Sequence, residues 1–414
     1  MVSIKYADFY DTDYSPGNDE MVCEFYIEPV EDLSMAEAAG RVASESSNGT
    51  WSVLNADQRI KDMSAKAFEV DGNKIKIAYK PILFEEGNMP QILSCIAGNI
   101  MGMKAVERIR LLDVEWPASV TDHFMGPQFG SDVISEIFGV DRPITATVPK
   151  PKVGMTSKQH AQIGYDAWTG GLDLLKDDEN LTGQSFNRFE KRIEKSFKLR
   201  DKAEKETGEK KSYLVNITAD TQTMLERAEM VKEMGGEYIM IDIITAGWAG
   251  LQAVREKCEE LGLAIHAHRA MHAAFDRVPT HGVSMRCIAQ FARVIGVDQL
   301  HTGTANLGKL ENEDTIGINN WMKGDLNGLK DVLPVASGGL HPGTLPELLD
   351  RVGTEIAVQI GGGIHGHPGG THDGAKALRQ AIDGLVDGQK IEDIADKHKE
   401  LKQALDKWGT MTPR

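Results

Sequence analysis

From residue 143 onward, short apolar segments typical of buried strands alternate eight times with amphipathic segments typical of helices. The strand candidates are residues 144–148, 172–175, 213–217, 238–241, 263–266, 299–301, 334–336 and 356–360. Residues 224–234 and 251–261 are helical segments between them, and the charged segment 391–408 predicts one or two further helices. Eight such repeats favour a parallel (β/α)₈ TIM barrel, which keeps its catalytic groups at the carboxyl ends of its strands.

A smaller α+β domain is predicted before the barrel. Its elements are a strand at 22–27, a helix at 33–47 capped by Asp32 or Ser34, strands at 60–70 and 74–79, a helix at 89–101 and a strand at 106–114. The turn Asp71-Gly72-Asn73 closes the two middle strands into a hairpin. This order indicates a ferredoxin-like sandwich. We therefore expect an N-terminal domain at 1–118, a connection at 119–142, and a catalytic barrel with a helical tail at 143–414.

Composition limits the partners that this chain can have. The 414 residues carry a formal net charge of -16, which disfavours nucleic acid and anionic membranes as partners. The chain has no run of about 18 apolar residues and no secretory leader, and its four cysteines are far apart. We expect a cytoplasmic protein that holds any anionic substrate with a local cluster of cations.

The segment 170–180 ends a predicted strand with a lysine and two nearby carboxylates. Asp178 and Glu179 are hard oxygen donors of the kind that Mg²⁺ prefers. Lys176 would become an anionic oxygen ligand if CO₂ converted its amine to a carbamate. Taken alone, the tetrapeptide Lys-Asp-Asp-Glu at 176–179 is more typical of a solvated, charged strand end, so its interpretation depends on the other strand ends.

Chemically useful residues follow most of the other predicted strands. Lys150 and Lys152 lie in a proline-stiffened turn after the first strand, where neighbouring charges can tune a lysine for acid–base work. His266 and His268 share one face of the fifth strand. A loop after the sixth strand carries Lys309 beside Gly308. Each feature alone has a simpler structural explanation, but their shared position at strand ends favours an active site.

Two anion sites are predicted at the same end of the barrel. Glycine-rich turns follow strands seven and eight, where barrels bind phosphate through backbone N–H groups. Arg269, His301 and Ser337 are candidates for the second anion site. Two anion sites on either side of a metal suit a short sugar bisphosphate.

These motifs together resemble the large subunit of ribulose-1,5-bisphosphate carboxylase/oxygenase (Rubisco). The matching segments are Lys-Pro-Lys at 150–152, residues 170–180, His-Ala-His-Arg-Ala-Met-His at 266–272, His-Thr-Gly-Thr at 301–304, Ala-Ser-Gly-Gly at 336–339, Gly-Gly-Gly at 361–363, residues 45–51 and Gly98-Asn99. Residues 147–152, 176–182 and 187–192 look most like the archaeal form III branch.

The resemblance implies a role for each matching residue. Lys176, carbamylated by activator CO₂, would bind Mg²⁺ with Asp178 and Glu179 and remove the C3 proton of ribulose 1,5-bisphosphate. Lys150, working with Lys152, would protonate the final carbanion, His268 would serve hydration, and Lys309 would stabilise the new carboxylate. The remaining substrate-binding positions are Thr147, Arg269, His301, Ser337, Gly338, Gly339, Gln359, Gly361 and Gly362, with Glu45, Thr50, Trp51 and Asn99 reaching the site of the partner subunit.

The family also implies partners and leaves alternatives open. We expect a homodimer as the minimal unit, alone or in larger rings of dimers and without a small subunit, with O₂ as a side substrate and AMP salvage as the pathway. The alternatives are a Rubisco-like enolase or isomerase that does not fix CO₂, and a catalytically silent assembly or regulatory subunit. The presence of Lys150, Lys309, His301, Glu45 and Asn99 favours the carboxylase.

Overall fold

The computed structural model describes residues 1–307 and 314–410. The strands are β1 Val2–Ile4, β2 Met21–Pro29, β3 Leu54–Ala56, β4 Lys66–Asp71, β5 Lys74–Tyr79, β6 Val106–Glu115, β7 Ile144–Thr147, β8 Leu174–Lys176, β9 Ser212–Asn216, β10 Tyr238–Asp242, β11 Ala264–His268, β12 Gly282–Val283, β13 Gln299–His301, β14 Leu333–Ser337 and β15 Ala357–Gln359.

The α-helices follow the same numbering along the chain. They are α1 Met35–Glu45, α2 Gln58–Asp62, α3 Met89–Ile96, α4 Ala118–Thr121, α5 Ser157–Thr169, α6 Phe189–Thr207, α7 Thr221–Glu233, α8 Ile243–Ala246, α9 Trp248–Leu261, α10 Ala273–Asp276, α11 Met285–Ile295, α12 Thr315–Lys323, α13 Leu345–Val352, α14 Gly362–His365, α15 Gly370–Val386, α16 Ile391–Ala395 and α17 Lys399–Trp408. None of the helices in the described ranges is long and apolar enough to cross a membrane.

The chain forms two compact units. The first contains Met1–Gly126, Met271–Ile295 and Leu326–Leu329, and the second contains the rest of the described chain. The sheet of the first unit has the strand order β12-β6-β2-β5-β4, in which β2, β4, β5 and β6 pair antiparallel. The order β6-β2-β5-β4 is that of a ferredoxin-like sandwich, so the predicted fold of this region is confirmed.

Two predicted elements of the first unit differ from the structure. The segment 60–70 is not one strand, because a short helix that starts after Asp57 occupies its beginning and the strand β4 starts only at Lys66. The predicted helix 89–101 ends at Ile96. A Cβ atom on Gly98 would lie 2.1 Å from the carbonyl oxygen of Ser94, so the chain leaves the helix at this glycine.

The second unit contains a closed parallel barrel. Its strands follow the chain in the order β7, β8, β9, β10, β11, β13, β14 and β15, and every residue of β7, β9 and β10 is buried. Strands covered on both faces have continuous apolar stretches, which explains why the sequence revealed all eight. The predicted (β/α)₈ barrel is confirmed.

The second barrel strand is shifted from its predicted position. Leu172 is fully buried, but its backbone nitrogen donates to the carbonyl oxygen of Ala167 at 3.2 Å, so it belongs to the turn after α5. The strand β8 therefore begins at Leu174 and ends at Lys176 itself. This shift places the lysine inside the barrel wall and its two carboxylates immediately beyond it.

The barrel interior is filled at the amino ends of its strands. Phe138 stacks on Tyr238, the first residue of β10, with ring centroids 6.3 Å apart, and Ile144, Leu174 and Leu333 belong to the same apolar cluster. A second cluster packs α15, α16 and α17 against the strands β14 and β15. Apolar packing thus leaves the carboxyl ends of the strands for polar side chains.

Candidate active site

Lys176 lies at the end of β8 with only 1% of its side chain exposed. Its Nζ donates to the carbonyl oxygen of Asp177 at 2.8 Å and lies 3.6 Å from Glu179 Oε2. Burial lowers the pKa of Lys176 and outweighs the opposite effect of the surrounding carboxylates. The neutral amine is the form that reacts with CO₂, so this environment favours carbamate formation.

Asp178 and Glu179, the two predicted metal ligands after Lys176, are each paired with a lysine that follows β7. Lys150 Nζ lies 3.1 Å from Asp178 Oδ2, and Lys152 Nζ lies 3.3 Å from Glu179 Oε1. Burial would raise the pKa of Glu179, but nearby cations, above all Lys176, hold this pKa at about 2. Glu179 is therefore ionised at neutral pH, and four of the predicted site residues form two ion pairs directly after Lys176.

The fit of this group to a metal ion depends on the state of Lys176. In the described ranges, no three His, Cys, Asp or Glu side chains are arranged to hold a metal ion. Asp178 and Glu179 provide two sources of anionic oxygen, and a carbamate on Lys176 would provide a third while removing a buried cation. Three hard oxygen donors suit Mg²⁺. The residues thus fit Mg²⁺ once Lys176 carries CO₂.

Asp177 anchors the segment that carries the predicted metal ligands, and it was not identified as a site residue from the sequence. Its carboxylate accepts from the Tyr213 hydroxyl at 2.6 Å and the Asn216 backbone nitrogen at 3.0 Å, and lies 3.1 Å from both Arg192 and His160. Burial opposes ionisation, but these partners, led by Arg192, hold the pKa of Asp177 at about 2. Arg192 ends the 187–192 motif, which is the signal that could have revealed this cluster.

His268 is held by a second carboxylate that the sequence did not reveal. Its Nδ1 lies 2.8 Å from Asp242 Oδ1, and its Nε2 lies 3.7 Å from Glu179 Oε2. Asp242 ends β10 and pairs in register with His268 at the end of β11. The backbone nitrogen of Ala270 also lies 3.2 Å from Nδ1, but the shorter contact to the Asp242 carboxylate requires a proton on Nδ1, so the lone pair of Nε2 faces Glu179.

A buried chain of hydrogen bonds connects Tyr238 to Ser337. Gln299 Nε2 donates to the Tyr238 hydroxyl at 3.1 Å, and Gln299 Oε1 lies 2.9 Å from His266 Nδ1. The Nε2 atoms of His266 and His301 are 2.8 Å apart, and His301 Nδ1 lies 2.7 Å from Ser337 Oγ. His301 and Ser337 were predicted site residues, whereas Gln299 and Tyr238 were missed.

The protonation of the two histidines fixes the direction of this chain. Burial lowers the pKa of His266 to about 3 and that of His301 well below its usual range, so both rings are neutral. Because Gln299 Oε1 accepts from His266, the proton between the two rings belongs to His301. His301 Nδ1 then accepts from the hydroxyl of Ser337. Ser337 could donate to an anion only if the whole chain reversed.

The glycine-rich loops after β14 and β15 need their glycines for different reasons. Gly338 and Gly339 have φ values of 114° and 85°, which side chains rarely tolerate. A Cβ atom on Gly361 would lie 3.1 Å from Lys150 Cε, whereas one on Gly362 would meet open space. These loops therefore bring bare backbone to the barrel end, as an anion site requires.

The other predicted barrel positions are buried. The Thr147 hydroxyl donates to the carbonyl oxygen of Ile360 at 2.7 Å, so it supports the β15 end. Arg269 follows β11 directly and is 4% exposed. Gln359 Oε1 is buried and has no hydrogen-bond partner within the described part of the chain. Gln359 thus offers a free acceptor at the end of β15.

Four predicted positions lie in the first unit. Glu45 ends α1, and Asn99 Nδ2 donates to Glu45 Oε1 at 3.4 Å. Thr50 is partly buried, and Trp51 is 84% exposed. This unit therefore carries an exposed indole and a paired carboxylate. Lys309 and Gly308 lie outside the described residues.

Comparison with known proteins gives the same assignment along the whole chain. The family model for the ribulose bisphosphate carboxylase large chain, catalytic domain, matches residues 132–408, and the model for the N-terminal domain matches residues 8–120. The ribulose bisphosphate carboxylase of Pyrococcus abyssi is 52% identical over 99% of this chain and 98% of its own. That of Archaeoglobus fulgidus is 44% identical over 99% and 98%.

Solved structures agree with these relatives. The octameric Rubisco of Pyrococcus horikoshii OT3 has a TM-score of 0.95 at 50% identity, covering 99% of this chain and 98% of its own. The dimeric archaeal Rubisco of Hyperthermus butylicus has a TM-score of 0.92 at 44% identity, covering 98% and 100%.

The barrel and its strand-end residues define a (β/α)₈ enzyme with a lysine set among carboxylates and backbone loops suited to anions. The matches cover both units and at least 98% of the length of each of these relatives. The chain belongs to the ribulose bisphosphate carboxylase large-chain family, of the archaeal type.

Proposed function

We propose that the barrel site adds CO₂ to ribulose 1,5-bisphosphate to give two molecules of 3-phosphoglycerate, with O₂ as a competing substrate. The observation that carries this proposal is the position of Lys176, buried at the end of β8 with Glu179 Oε2 3.6 Å from its Nζ. Burial favours the neutral form of the amine, which is the form that reacts with CO₂. The neighbouring carboxylates and the resulting carbamate would together provide the oxygen ligands for a metal ion.

The proposed activated site contains Mg²⁺ on carbamylated Lys176, Asp178 and Glu179. When bound, Mg²⁺ would act as a Lewis acid and polarise the substrate oxygens. Lys150 Nζ lies 3.1 Å from Asp178, and Lys152 Nζ lies 3.3 Å from Glu179. Once a bound metal ion neutralises these carboxylates, the two lysines can contact the substrate instead.

The side chains around this group suggest how protons move. Carbamylated Lys176 is the proposed base that removes the C3 proton of the substrate, so C2 becomes nucleophilic and attacks CO₂. His268, with its Nε2 lone pair fixed by Asp242, accepts a proton from the water that adds to C3. Cleavage between C2 and C3 leaves a carbanion, and Lys150 protonates it.

Backbone and cations hold the two phosphates in this proposal. Gly339, Gly361 and Gly362 expose N–H groups to one phosphate, with Thr50 and Trp51 contributed by the partner subunit. Arg269 supplies the cation for the other, and Ser337 donates to it once the hydrogen-bond chain through His301 has reversed. Thr147, Gly338 and Gln359 line the substrate, and Lys309 stabilises the new carboxylate.

We further propose a homodimer as the minimal unit, in which Glu45 and Asn99 complete the site of the partner chain. The relatives described as octameric and dimeric support self-association in this family. The proposed organisation is residues 1–118, 119–142 and 143–414, without a small subunit. AMP salvage in the cytoplasm is the proposed context.

The decisive experiment follows the carbamate and the product together. The enzyme incubated with ¹³C-bicarbonate and Mg²⁺ is expected to show one carbamate signal in ¹³C NMR. After ribulose 1,5-bisphosphate is added, it is expected to incorporate labelled CO₂ into 3-phosphoglycerate. Lys176→Ala should lose both. Lys211 is a matched control, because it is equally buried but pairs with Glu209 at 2.7 Å, and Lys211→Ala should keep both.

Measuring exchange of the substrate's C3 proton with solvent in the same incubation separates the alternatives. A Rubisco-like enolase would exchange the C3 proton without incorporating label, and a silent subunit would do neither. Full carboxylation by Lys176→Ala would refute the proposed site.

A further inference from the structure

We infer that Trp408, the last residue of α17, is a positioning residue for the two glycine-rich anion loops. The indole lies between the segment that follows β14 and the segment that follows β15. The inference rests on the proposed function of these loops, and it concerns how a distant helix holds them in place.

The first connection joins Trp408 to the loop after β14. His341 follows Gly338 and Gly339 by two residues and is 3% exposed, and its ring centroid lies 5.9 Å from the indole at an interplanar angle of 31°. A Cβ atom on Gly343 would lie 1.9 Å from the carbonyl oxygen of Gly409. The end of α17 therefore packs closely on this loop through both side chain and backbone.

The second connection joins Trp408 to the segment after β15. His367 is 4% exposed, and its ring centroid lies 6.4 Å from the indole. The backbone nitrogen of Gly369 donates to His367 Nδ1 at 3.0 Å, so in the neutral ring Nε2 donates to the carbonyl oxygen of Glu400 at 2.9 Å. Both ring nitrogens are satisfied, so His367 is fixed against α17.

Lys407 reinforces the same connection from the neighbouring position. Its Nζ donates to the carbonyl oxygen of Gly366 at 2.5 Å and lies 5.3 Å from the centroid of the Trp408 ring. Gly366 caps the short helix α14, which begins at Gly362 of the anion loop. The last turn of α17 is thus bonded to the end of the helix that presents this loop.

The two loops also pack on each other. A Cβ atom on Gly363 would lie 2.6 Å from the carbonyl oxygen of Leu340 and 2.8 Å from His341 Cα. A shift of one loop must therefore shift the other. Removing the indole would leave both loops without their common support, whereas Lys176 lies on β8, outside this set of contacts.

The test compares Trp408→Ala, Trp408→Phe and Leu401→Ala in the full-length enzyme. Trp408→Ala should raise the KM for ribulose 1,5-bisphosphate about tenfold and change kcat less than about twofold, because ground-state phosphate contacts loosen while the reacting groups stay in place. Trp408→Phe should restore most of the affinity. The ¹³C carbamate signal should be unchanged in all three.

Leu401→Ala controls for a general loss of stability. Leu401 is fully buried in the same helix and belongs to the apolar cluster under it. This variant should lower the Tm at least as much as Trp408→Ala and leave KM near the wild-type value. An equal rise of KM in Leu401→Ala, or a normal KM in Trp408→Ala, would overturn the inference.

Direct binding of ribulose 1,5-bisphosphate by calorimetry distinguishes the two levels of the proposal. If the wild-type protein binds the bisphosphate without carboxylating it, the proposed reaction fails, and weaker binding by Trp408→Ala still supports the inference. If the wild-type protein does not bind the bisphosphate, the loops are not its anion site and the inference is wrong as well.

Discussion

Asp242 Oδ1 lies 2.8 Å from Nδ1 of His268, and Nε2 of the same ring points toward Glu179 at 3.7 Å. A carboxylate can only accept at this position, so it keeps the histidine proton on Nδ1 and leaves Nε2 free to take a proton. The proposed role of His268 in hydration thus depends on a residue from the neighbouring strand.

Asp242→Asn should impair catalysis without emptying the activation site. The amide can donate to Nδ1 and so favours the wrong tautomer, and we expect kcat to fall on the order of 10²-fold. The ¹³C carbamate signal on Lys176 should persist. Asp220→Asn, which alters an exposed helix cap instead, is the control and should keep wild-type kcat. An unchanged kcat in Asp242→Asn would refute the orienting role.

The site residues that the sequence alone could predict are those whose position along their own strand is sufficient. Lys176 and His268 end apolar strands, and such ends meet at one rim of a parallel barrel. Asp242, Gln299 and Tyr238 were missed because their importance comes from cross-strand partners, which only the closure and register of the barrel establish.

Local chemistry explains two of the structural errors in the same way. The helix 89–101 was predicted too long because its apolar spacing continues past Gly98, where the approach to Ser94 ends the helix. The start of β8 was placed too early because Leu172 is as apolar and buried as a strand residue. An apolar pattern indicates which residues are buried, whereas backbone hydrogen bonding determines whether a buried residue belongs to a strand, a helix or a turn.

Gln299→Glu should weaken substrate binding through the chain of hydrogen bonds that connects Tyr238 to Ser337. The Gln299 amide can turn round and reverse the hydrogen-bond chain, whereas a carboxylate at 299 only accepts, so it holds the proton of His266 on Nδ1 and keeps Ser337 donating to His301. Ser337 then cannot donate to a phosphate, and we expect KM for ribulose 1,5-bisphosphate to rise about tenfold. Steady-state kinetics on the carbamylated enzyme would measure this.

Tyr238→Phe is the matched variant for the other end of the chain. It removes the hydroxyl that orients the Gln299 amide, so the chain of hydrogen bonds from Gln299 to Ser337 can adopt either direction. Because Ser337 can still donate to a phosphate, KM should change less than about threefold. A larger effect in Tyr238→Phe than in Gln299→Glu would contradict the proposed directionality.

Asp173 should make the barrel sensitive to acid. Arg142 donates to both of its carboxylate oxygens at 2.7 and 2.8 Å, and the backbone nitrogen of Thr145 donates to one of them at 2.8 Å. Burial would raise the pKa of Asp173, but these partners, with Arg142 first, lower it below its ordinary value. The ionised group therefore stabilises the fold above about pH 4, and this contribution disappears as pH falls through the lower folded-state pKa.

Asp173→Asn should accordingly cost about 3 kcal/mol of unfolding free energy at pH 7, and the gap to wild type should shrink as pH falls below about 4. Denaturant unfolding at pH 7, 5 and 3 would measure it. Asp141→Asn changes an exposed carboxylate beside Arg142 and should show neither effect. A gap that stays constant down to pH 3 would rule out this ion pair as the source.

Glu45 and Asn99 are bonded to each other in the first unit, and the proposal assigns both to the site of the partner chain. Glu45→Gln and Lys176→Ala chains should each be inactive alone. In a hybrid dimer, one site would combine an intact Lys176 with an intact Glu45, and the other would have neither. Random exchange at equal amounts should thus restore about a quarter of wild-type activity.

Subunit exchange must be demonstrated in the same sample, for example by native mass spectrometry with one chain carrying a small tag. Exchange within Glu45→Gln alone is the control and should restore nothing. Recovery near a quarter supports a site built from two chains, because no single chain in the mixture carries both groups. Hybrid dimers that form at the expected frequency and stay inactive would show that Glu45 serves its own chain.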